Sequence, residues 1–488
     1  MQVSLRRSLS VRRSPLFVAA LVLCSLNGTF IHTARAQAPV ATPAATAAAA
    51  PAGAVPAIPA TTGKEMTAGV KLDGTTPIDL SGLRGGGPQA LSRLKASVIP
   101  PMQGQSVATA ADLDNIDVYV LYKIAEMSWP GGTPEARRSL FKTRDPLKIP
   151  NLVAAVHDRI NELLLVNLPR IIDDPGYSLA VRHNAMILLG QLDQLEYDIT
   201  KSQPAVPLVK AEKPLLDYAK RADLAEPLRV AAFMGLARHA DAKIPTNSPH
   251  RQEIADLALA TLAAPAPPAG LSLNSFHWAR KLALQMVMGL AENGSEAKNS
   301  KLVDAVVGIL TNDKLPLFLR RDAALTIGHY DPGTISSGKT KATDILKALT
   351  SLTVAITKAG GDRDNPGAPV DLTKPEDVLQ TPTEETRLQF ANAVAYYMNC
   401  IANALGGRGA SRGLQPILAG DPTAKPQITT LLDVYINPIV NTMSRTNVKL
   451  DDAMKLLADS HGKLSTWATT NNLIAAPAAN AEPVAAGP

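Results

Sequence analysis

Apolar residues recur at every third or fourth position over most of the chain between Thr109 and Leu473, which places them on one face of an α-helix. The period is clearest in four segments: 151–172 (NLVAAVHDRINELLLVNLPRII), 251–263 (RQEIADLALATLA), 300–310 (SKLVDAVVGIL) and 343–356 (TDILKALTSLTVAI). We find no convincing run of alternating apolar and polar residues, the pattern of a half-buried strand. The hydrophobic pattern therefore predicts an all-α body.

Short helix-breaking sequences divide these apolar segments into pairs. They are Asp174-Pro175-Gly176, the PAPPAG sequence at 265–270, and Asp331-Pro332-Gly333. A longer polar stretch occupies 360–377, and Thr381-Pro382-Thr383-Glu384 after it is typical of a helix start. This order predicts a repeating helical hairpin, made of a first helix, a turn and a second helix.

One second-helix pattern recurs four times, at 181–193 (VRHNAMILLGQLD), 228–241 (LRVAAFMGLARHAD), 280–292 (RKLALQMVMGLAE) and 319–331 (LRRDAALTIGHYD). The four copies align on Arg182, Arg229, Lys281 and Arg320, which are 47, 52 and 39 residues apart. Three residues later stand Ala185, Ala232, Leu284 and Ala323, and eight residues later Gly190, Ala237, Gly289 and Gly328. Steps of three and eight stay on one helix stripe, so we expect the small residues there to let neighbouring helices approach closely.

Each copy of the pattern ends in an acidic residue, namely Asp193, Asp241, Glu292 or Asp331. Negative charge is unfavourable at the C-terminal end of a helix, so we expect a cation from an adjacent unit to compensate it. The aligned basic residues have two interpretations. They bind acids or carbonyl groups of the neighbouring unit, or they are solvated side chains of the first helical turn.

The stretch NLPRIIDDPGYSLAVRHNAMILLGQLD at 167–193 resembles a HEAT repeat, with an Asp-Pro turn after the first helix and a V-R-x-x-A pattern opening the second. The resemblance is fair at 208–241 and 301–331. It is poor at 251–292, where Lys281 and Leu284 replace the usual Arg and Ala. It implies an α-solenoid of stacked helical hairpins and, as for most HEAT-type proteins, a scaffold or binding surface. It assigns no catalytic residue to this chain.

Residues 1–36 have the three zones of a secretory signal peptide. Arg6, Arg7, Arg12 and Arg13 precede the apolar run PLFVAALVLCSL, and Ala34-Arg35-Ala36 forms a cleavage site before Gln37. We therefore expect Sec-type export and no membrane span after cleavage, with an uncleaved membrane anchor as the alternative. The final location is then the periplasm, the cell envelope or the medium.

Composition divides the rest of the chain into four parts. Residues 37–108, rich in Ala, Pro and Gly, predict a mostly disordered linker, and 475–488 a disordered tail. We assign 109–340 to HEAT-like repeats. The helices predicted in 341–474 fit the repeat spacing poorly and are interpreted as divergent repeats or a cap, with a small separate bundle as the alternative.

The net charge of the chain gives little information about its partner. The chain has 49 Lys and Arg against 43 Asp and Glu, but five of the Arg lie within the signal segment, which holds no acid. The mature chain is therefore close to neutral, which gives no support to a nucleic acid or an anionic membrane as partner. A protein or peptide of unknown identity remains the expected partner, and the oligomeric state stays open.

The sequence contains none of the common catalytic, haem-attachment or phosphate-binding motifs, so we expect no enzyme activity, no metal and no cofactor. Residues 362–373 imitate a calcium loop, but Pro366 and Thr373 stand where oxygen ligands are needed. Cys400 lies in an apolar helical run. A buried, inert thiol is the interpretation we favour there, and a reactive nucleophile is the alternative.

Aromatic residues make up only 4% of the chain, which makes Trp278 and Tyr396-Tyr397 noticeable in predicted helices. Core packing is their expected role, but an exposed ring would be a natural recognition anchor. Three functions stay open: an exported non-catalytic scaffold or adaptor, a structural component of the cell envelope, and an enzyme whose site is not visible as a motif. We expect the first.

Overall fold

The computed structural model describes residues 64–106, 109–129, 152–197, 203–241, 248–293, 299–361, 384–407, 412–445 and 448–475. The predicted signal peptide, the linker as far as Gly63 and the tail from 476 lie outside the described residues. The described chain is mostly helical, in agreement with the predicted all-α class. Its buried apolar side chains form one contiguous core that extends from Met66 to Leu473.

The first described elements precede the predicted repeats. They are strands β1 (Ala68–Val70) and β2 (Pro77–Asp79), followed by helices α1 (Ser81–Gly85), α2 (Gly87–Met102) and α3 (Ala110–Ala125). The two strands pair antiparallel, and β1 contacts α3. A capping box between Thr109 and Asp112 starts α3, because each side chain hydrogen-bonds the other residue's backbone N–H.

The prediction of a mostly disordered linker over 37–108 is therefore corrected for residues 64–106, which are folded and packed. Met66, Ile78, Leu80, Val98 and Met102 are buried in the core. Large apolar residues spaced among Gly and Pro supply enough buried surface to order this segment, although its composition resembles a linker.

Four helical hairpins follow in the described part of the chain, and each consists of two helices that are joined by a short turn and contact each other. They are α4 (Ala154–Asp173) with α5 (Leu179–Gly190), α6 (Glu212–Lys220) with α7 (Glu226–Asp241), α8 (Arg251–Ala263) with α9 (Leu273–Asn293), and α10 (Ser300–Thr311) with α11 (Leu317–Ile327).

Turn chemistry sets the hairpin bends. In the first hairpin the Asp174 carboxylate accepts a hydrogen bond from Gly176 N–H, and the Ser178 side chain caps the start of α5. The Asn299 side chain caps α10 in the same way, at the junction between the third and fourth hairpins. These short polar side chains satisfy backbone donors that a helix start leaves free, so these two helix starts are specified locally.

The second helices α5, α7, α9 and α11 contact one another in succession, and the first helices α6, α8 and α10 do the same. A short helix α12 (Pro332–Ser336) then leads to α13 (Ala342–Gly361) and α14 (Glu384–Gly406). Helix α13 packs against α10, and α14 packs against α11. Both rows of contacts therefore continue into the region assigned to divergent repeats or a cap.

The last elements are α15 (Gln415–Leu418), α16 (Ala424–Thr430), a π-helical segment (Leu431–Ile436), α17 (Asn437–Met443) and α18 (Leu450–Thr470). Helix α17 packs against α14, whereas α18 packs along α13. The order is thus reversed at this end. Helix α17 comes first in the chain and extends the row of second helices, whereas α18 follows it and extends the row of first helices.

A second small sheet, which the hydrophobic pattern did not predict, connects the first two hairpins. Strands β3 (Asp193–Leu195) and β4 (Val206–Pro207) pair antiparallel. Each strand of both sheets is two or three residues long, too short to show a period of two in the sequence. Across the described ranges, no helix combines the length and the apolar character needed to cross a membrane.

Candidate functional site

The aligned Arg182 and Arg320, in the first and fourth hairpins, bind backbone carbonyl groups at helix ends. Arg182 Nε donates to the carbonyl of Ile172 at 2.7 Å, and Arg320 Nε donates to the carbonyl of Leu310 at 3.1 Å. In both cases the carbonyl belongs to the end of the first helix in the same hairpin. Carbonyl groups there have no intrahelical donor, so the guanidinium stabilises the turn.

In the middle two hairpins the basic residues have different partners. Arg229 is buried and donates to the carbonyl of Ala269, in the turn of the next hairpin, at 2.8 Å, and burial lowers the pKa of its guanidinium. In the third hairpin Arg280 binds the carbonyl of Ala264, while the aligned Lys281 lies over the ring of Trp278. The neighbouring-unit interpretation therefore describes Arg229 alone among these contacts.

The small residues lie at close helix approaches, but they face different neighbours. A Cβ placed on Gly190 would lie 2.6 Å from Cα of Gly235 in the following hairpin. One placed on Gly289 would meet the carbonyl of Ala240 in the preceding hairpin, and one on Gly328 would meet Asn403 in α14. The other aligned positions are also buried: Ala185, Ala232, Ala237, Leu284 and Ala323.

Basic side chains of the next hairpin lie against the terminal acids Asp193 and Glu292. Arg238 of α7 forms an ion pair with the buried Asp193. His329 Nδ1 lies 2.6 Å from Glu292 Oε1, which links the third and fourth hairpins. Asp331 has another role, since its carboxylate caps α12 by accepting from Thr334 N–H. The repeat positions are thus occupied with holding the helices together.

The exposed faces of the second-helix row carry large aromatic side chains. Trp278 on α9 is 50% exposed and Tyr396 on α14 is 39% exposed. Phe318 on α11 lies between them in the helix row and is partly buried. We call Trp278, Lys281, Phe318, Arg321 and Tyr396 the aromatic strip.

Ring and cation contacts join the strip across three helices. The rings of Trp278 and Phe318 have their centroids 6.4 Å apart, and Lys281 Nζ lies 4.5 Å from the centroid of Trp278. Arg321, one turn after Phe318, has its guanidinium carbon 4.9 Å from the centroid of Tyr396. The strip therefore runs across the helices and not along one of them.

Arg321 is held in a fixed position beneath the exposed ring. Its guanidinium lies 4.4 Å from the buried ring of Tyr397 and 2.7 Å from the carboxylate of Asp322. Burial lowers the pKa of Arg321, but the Asp322 carboxylate and the neighbouring Tyr397 and Tyr396 outweigh it, so the net pKa is raised. The cation is permanent, and it orients Tyr396 by stacking.

The sequence alone points to Trp278 and Tyr396 but not to Phe318 and Arg321. The signal was present, because Trp278 and Phe318 each stand two residues before a carbonyl-binding Arg, Arg280 or Arg320. Lys281 and Arg321 each stand one residue after it. The alignment of the third copy on Lys281 differs from this register by one residue, so it does not show the correspondence.

The described residues offer little reaction chemistry. Cys400 is buried, and none of the described residues form a group of three or more His, Cys, Asp or Glu able to hold a metal ion. His239 and Glu212 are both buried, with Nδ1 and Oε1 3.6 Å apart, at the contact between α6 and α7. The calcium-like segment 362–373 lies outside the described residues.

Comparison with protein-family models, with curated proteins and with solved structures finds no match for this chain. The HEAT-repeat resemblance therefore stays a prediction, and the function has to be inferred from the arrangement of this chain's own side chains.

Proposed function

We propose that this protein is an exported, non-catalytic scaffold or adaptor that binds a protein or peptide partner through the aromatic strip. Its body is a HEAT-like α-solenoid, and its export depends on the signal segment 1–36. The observation that carries the proposal is the position of half-exposed Trp278 and Tyr396 on one row of helices, joined by Phe318 and two cations.

The succession of helix contacts supports the solenoid part of this proposal. A solenoid unit contacts mainly its neighbours, which leaves one face of every second helix accessible along the array. Such a face needs no catalytic group to recognise a partner. The close approaches at Gly190, Gly289 and Gly328 support the same arrangement, because a bulky residue would separate the helices there.

The amino-acid composition of the aromatic strip supports the proposal that the strip binds a partner. Trp, Tyr and Arg are the residues most often responsible for binding energy in protein interfaces. Because Trp278 and Phe318 are packed against each other and Tyr396 against Arg321, little side-chain entropy is lost when a partner covers them.

The test is capture of a stoichiometric partner from the exported fraction by the full mature chain. We expect the Trp278→Ala/Tyr396→Ala variant to lose the partner. Tyr197→Ala is the matched control, because Tyr197 is 60% exposed and lies outside the strip, and it should retain the partner. Helix content measured for each variant verifies that the fold is kept.

Two results would contradict the proposal. Capture that is unaffected by the double variant would show that the strip is not the binding surface. Sedimentation of the chain only with envelope fragments, in wild type and variant alike, would favour a structural component of the envelope instead.

A further inference from the structure

We propose that the attachment of the C-terminal helix α18 to α13 is pH-sensitive, because His461 lies within the apolar face that joins the two helices. The uncharged imidazole allows the helices to pack, whereas a protonated imidazole weakens their contact and lets α18 open more often in mild acid. The proposal concerns the C-terminal end of the fold and does not depend on the aromatic strip.

The spacing of apolar residues places His461 in the buried stripe of α18. Met454, Leu457, Leu464 and Ala468 are buried and follow one another at steps of three, seven and four residues. His461 stands four residues after Leu457 and three before Leu464, so it fills the gap in this stripe on the same helix face. An ionisable ring thus occupies a position that the pattern otherwise gives to apolar residues.

The side of α13 that faces His461 is polar but uncharged. Thr350, Thr353 and Thr357 are buried, and each hydroxyl donates to the backbone carbonyl four residues earlier in its own helix. Thr357 Oγ1 lies 3.4 Å from Nδ1 of His461, and the carbonyl of Val354 hydrogen-bonds the same ring. These groups accept hydrogen bonds, but they offer no negative charge to a protonated imidazole.

The charged groups nearest to His461 do not compensate a positive ring. In the described part of the chain, its ring contacts include no carboxylate, and Ser465 of α18 is its other side-chain neighbour. Lys358 of α13 is exposed and has the same sign as a protonated imidazole. Asp459 and Lys463, the charged residues that flank His461 on α18, are exposed to solvent.

The other elements that contact α18 add no carboxylate to this interface among the described side chains. Helix α17 contains no ionisable side chain. In the π-helical segment, Tyr435 Oη donates to the carbonyl of Lys463, and Asp433 is exposed and bonded to Asn437. The ionisable side chains described on α14 are Tyr396, Tyr397 and Cys400.

The direction of the pH effect follows from the environment of the ring. The pKa of His461 is lowered from its usual value of 6.5, chiefly because burial disfavours the charged form; the Val354 carbonyl opposes this shift, and Lys358 adds to it. The opened helix therefore binds the proton more readily than the packed helix. The contribution of His461 to the attachment is fully present above about pH 6.5 and is lost as the pH falls through that value towards the lowered pKa.

The experiment is amide hydrogen exchange of the full mature chain, expressed as protection factors at about pH 7.5 and about pH 5.5, on either side of the usual histidine pKa. We expect α18 and the facing part of α13 to lose protection at the lower pH, while α4 and α5 keep theirs. His461→Gln should remove this local pH dependence. His183→Gln in α5 is the control, which should retain it.

Lys358→Glu tests the charge argument without altering a buried side chain. It places a carboxylate near His461 and favours the protonated ring, so the loss of protection in α18 at the lower pH should become smaller than in wild type. This variant also decides the matter if His461→Gln unprotects α18 at both pH values.

Two results would overturn the proposal. One is the same pH dependence of α18 protection in wild type, His461→Gln and Lys358→Glu. The other is a loss of protection in mild acid that is equal in α4, α5 and α18, since it would come from groups other than His461.

Discussion

At the scale of single residues, the contact between Gly190 and Gly235 makes the sharpest prediction. A Cβ on Gly190 would lie 2.6 Å from the Cα of Gly235, so backbone would have to move. We expect Gly190→Ala to lower the free energy of unfolding by about 1–3 kcal/mol through overpacking. Chemical denaturation measures this change in unfolding free energy, with the midpoint and slope of the variant compared with those of wild type.

The matched control is Gly308→Ala in α10, where an added Cβ meets no atom within 4 Å. Alanine is the better helix former, so this variant should gain about 0.5–1 kcal/mol. Two substitutions of the same type should thus shift the midpoint in opposite directions. An unchanged midpoint in Gly190→Ala would show that α5 and α7 are not in close contact at this point.

Adjacent residues 280 and 281 make a second prediction, which tests the register of the repeats. Arg280 is buried, binds the carbonyl of Ala264 and stacks on Phe276, whereas Lys281 lies over the half-exposed Trp278. Arg280→Ala should cost about 1.5–3 kcal/mol of unfolding free energy, the range for hydrogen bonds to charged groups. Lys281→Ala should cost less than about 1 kcal/mol.

Thermal melts of the two variants side by side provide the measurement. If Lys281→Ala were the more damaging change, the alignment on Lys281 would be the better one. The sequence could identify a basic residue at the start of each second helix. It could not choose between neighbours, because the choice depends on which side chain reaches a carbonyl contributed by another helix.

At the scale of elements, the hydrogen bonds between Asn167 on α4 and strand β1 lead to a prediction about how firmly this strand is attached. Its side chain accepts from Val70 N–H and donates to the Val70 carbonyl, both at 3.0 Å, in a buried position. Asn167→Leu would leave both backbone groups without this partner, at a cost of about 1–3 kcal/mol for each buried group. We expect a clear drop in melting temperature and faster amide exchange at Val70.

The control is the same substitution at an exposed position, Asn274→Leu near the start of α9, which should change stability by less than about 0.5 kcal/mol. Equal effects of the two variants would mean that β1 is not held by Asn167. A melting temperature of Asn167→Leu equal to wild type would lead to the same conclusion.

The helices of 151–331 could be predicted because their apolar faces are long and regular, as in NLVAAVHDRINELLLVNLPRII. Strand β1 could not, because it is three residues long and its backbone is satisfied by an amide 97 residues away. The aromatic strip could be predicted only in part from the sequence, for a related reason. Periodicity finds the buried face of a helix, but which exposed residues meet depends on the neighbouring helix.

At the scale of the whole molecule, the proposed solenoid predicts that damage at one end stays local, because each unit contacts mainly its neighbours. Leu457 of α18 is fully buried at the C-terminal end, where α18 packs along α13. Leu457→Ala should cost about 2–5 kcal/mol in that region. Amide exchange should accelerate in α13 and α18 while α4 and α5 keep wild-type protection.

Ile160→Ala is the mirror variant, since Ile160 is buried in α4 at the other end of the helix row. It should accelerate exchange in α4 and α5 and leave α18 unchanged. In a compact bundle with one cooperative core, either substitution would lower protection everywhere by a similar factor. Uniform loss of protection in both variants would therefore exclude the solenoid, even though the core is contiguous from Met66 to Leu473.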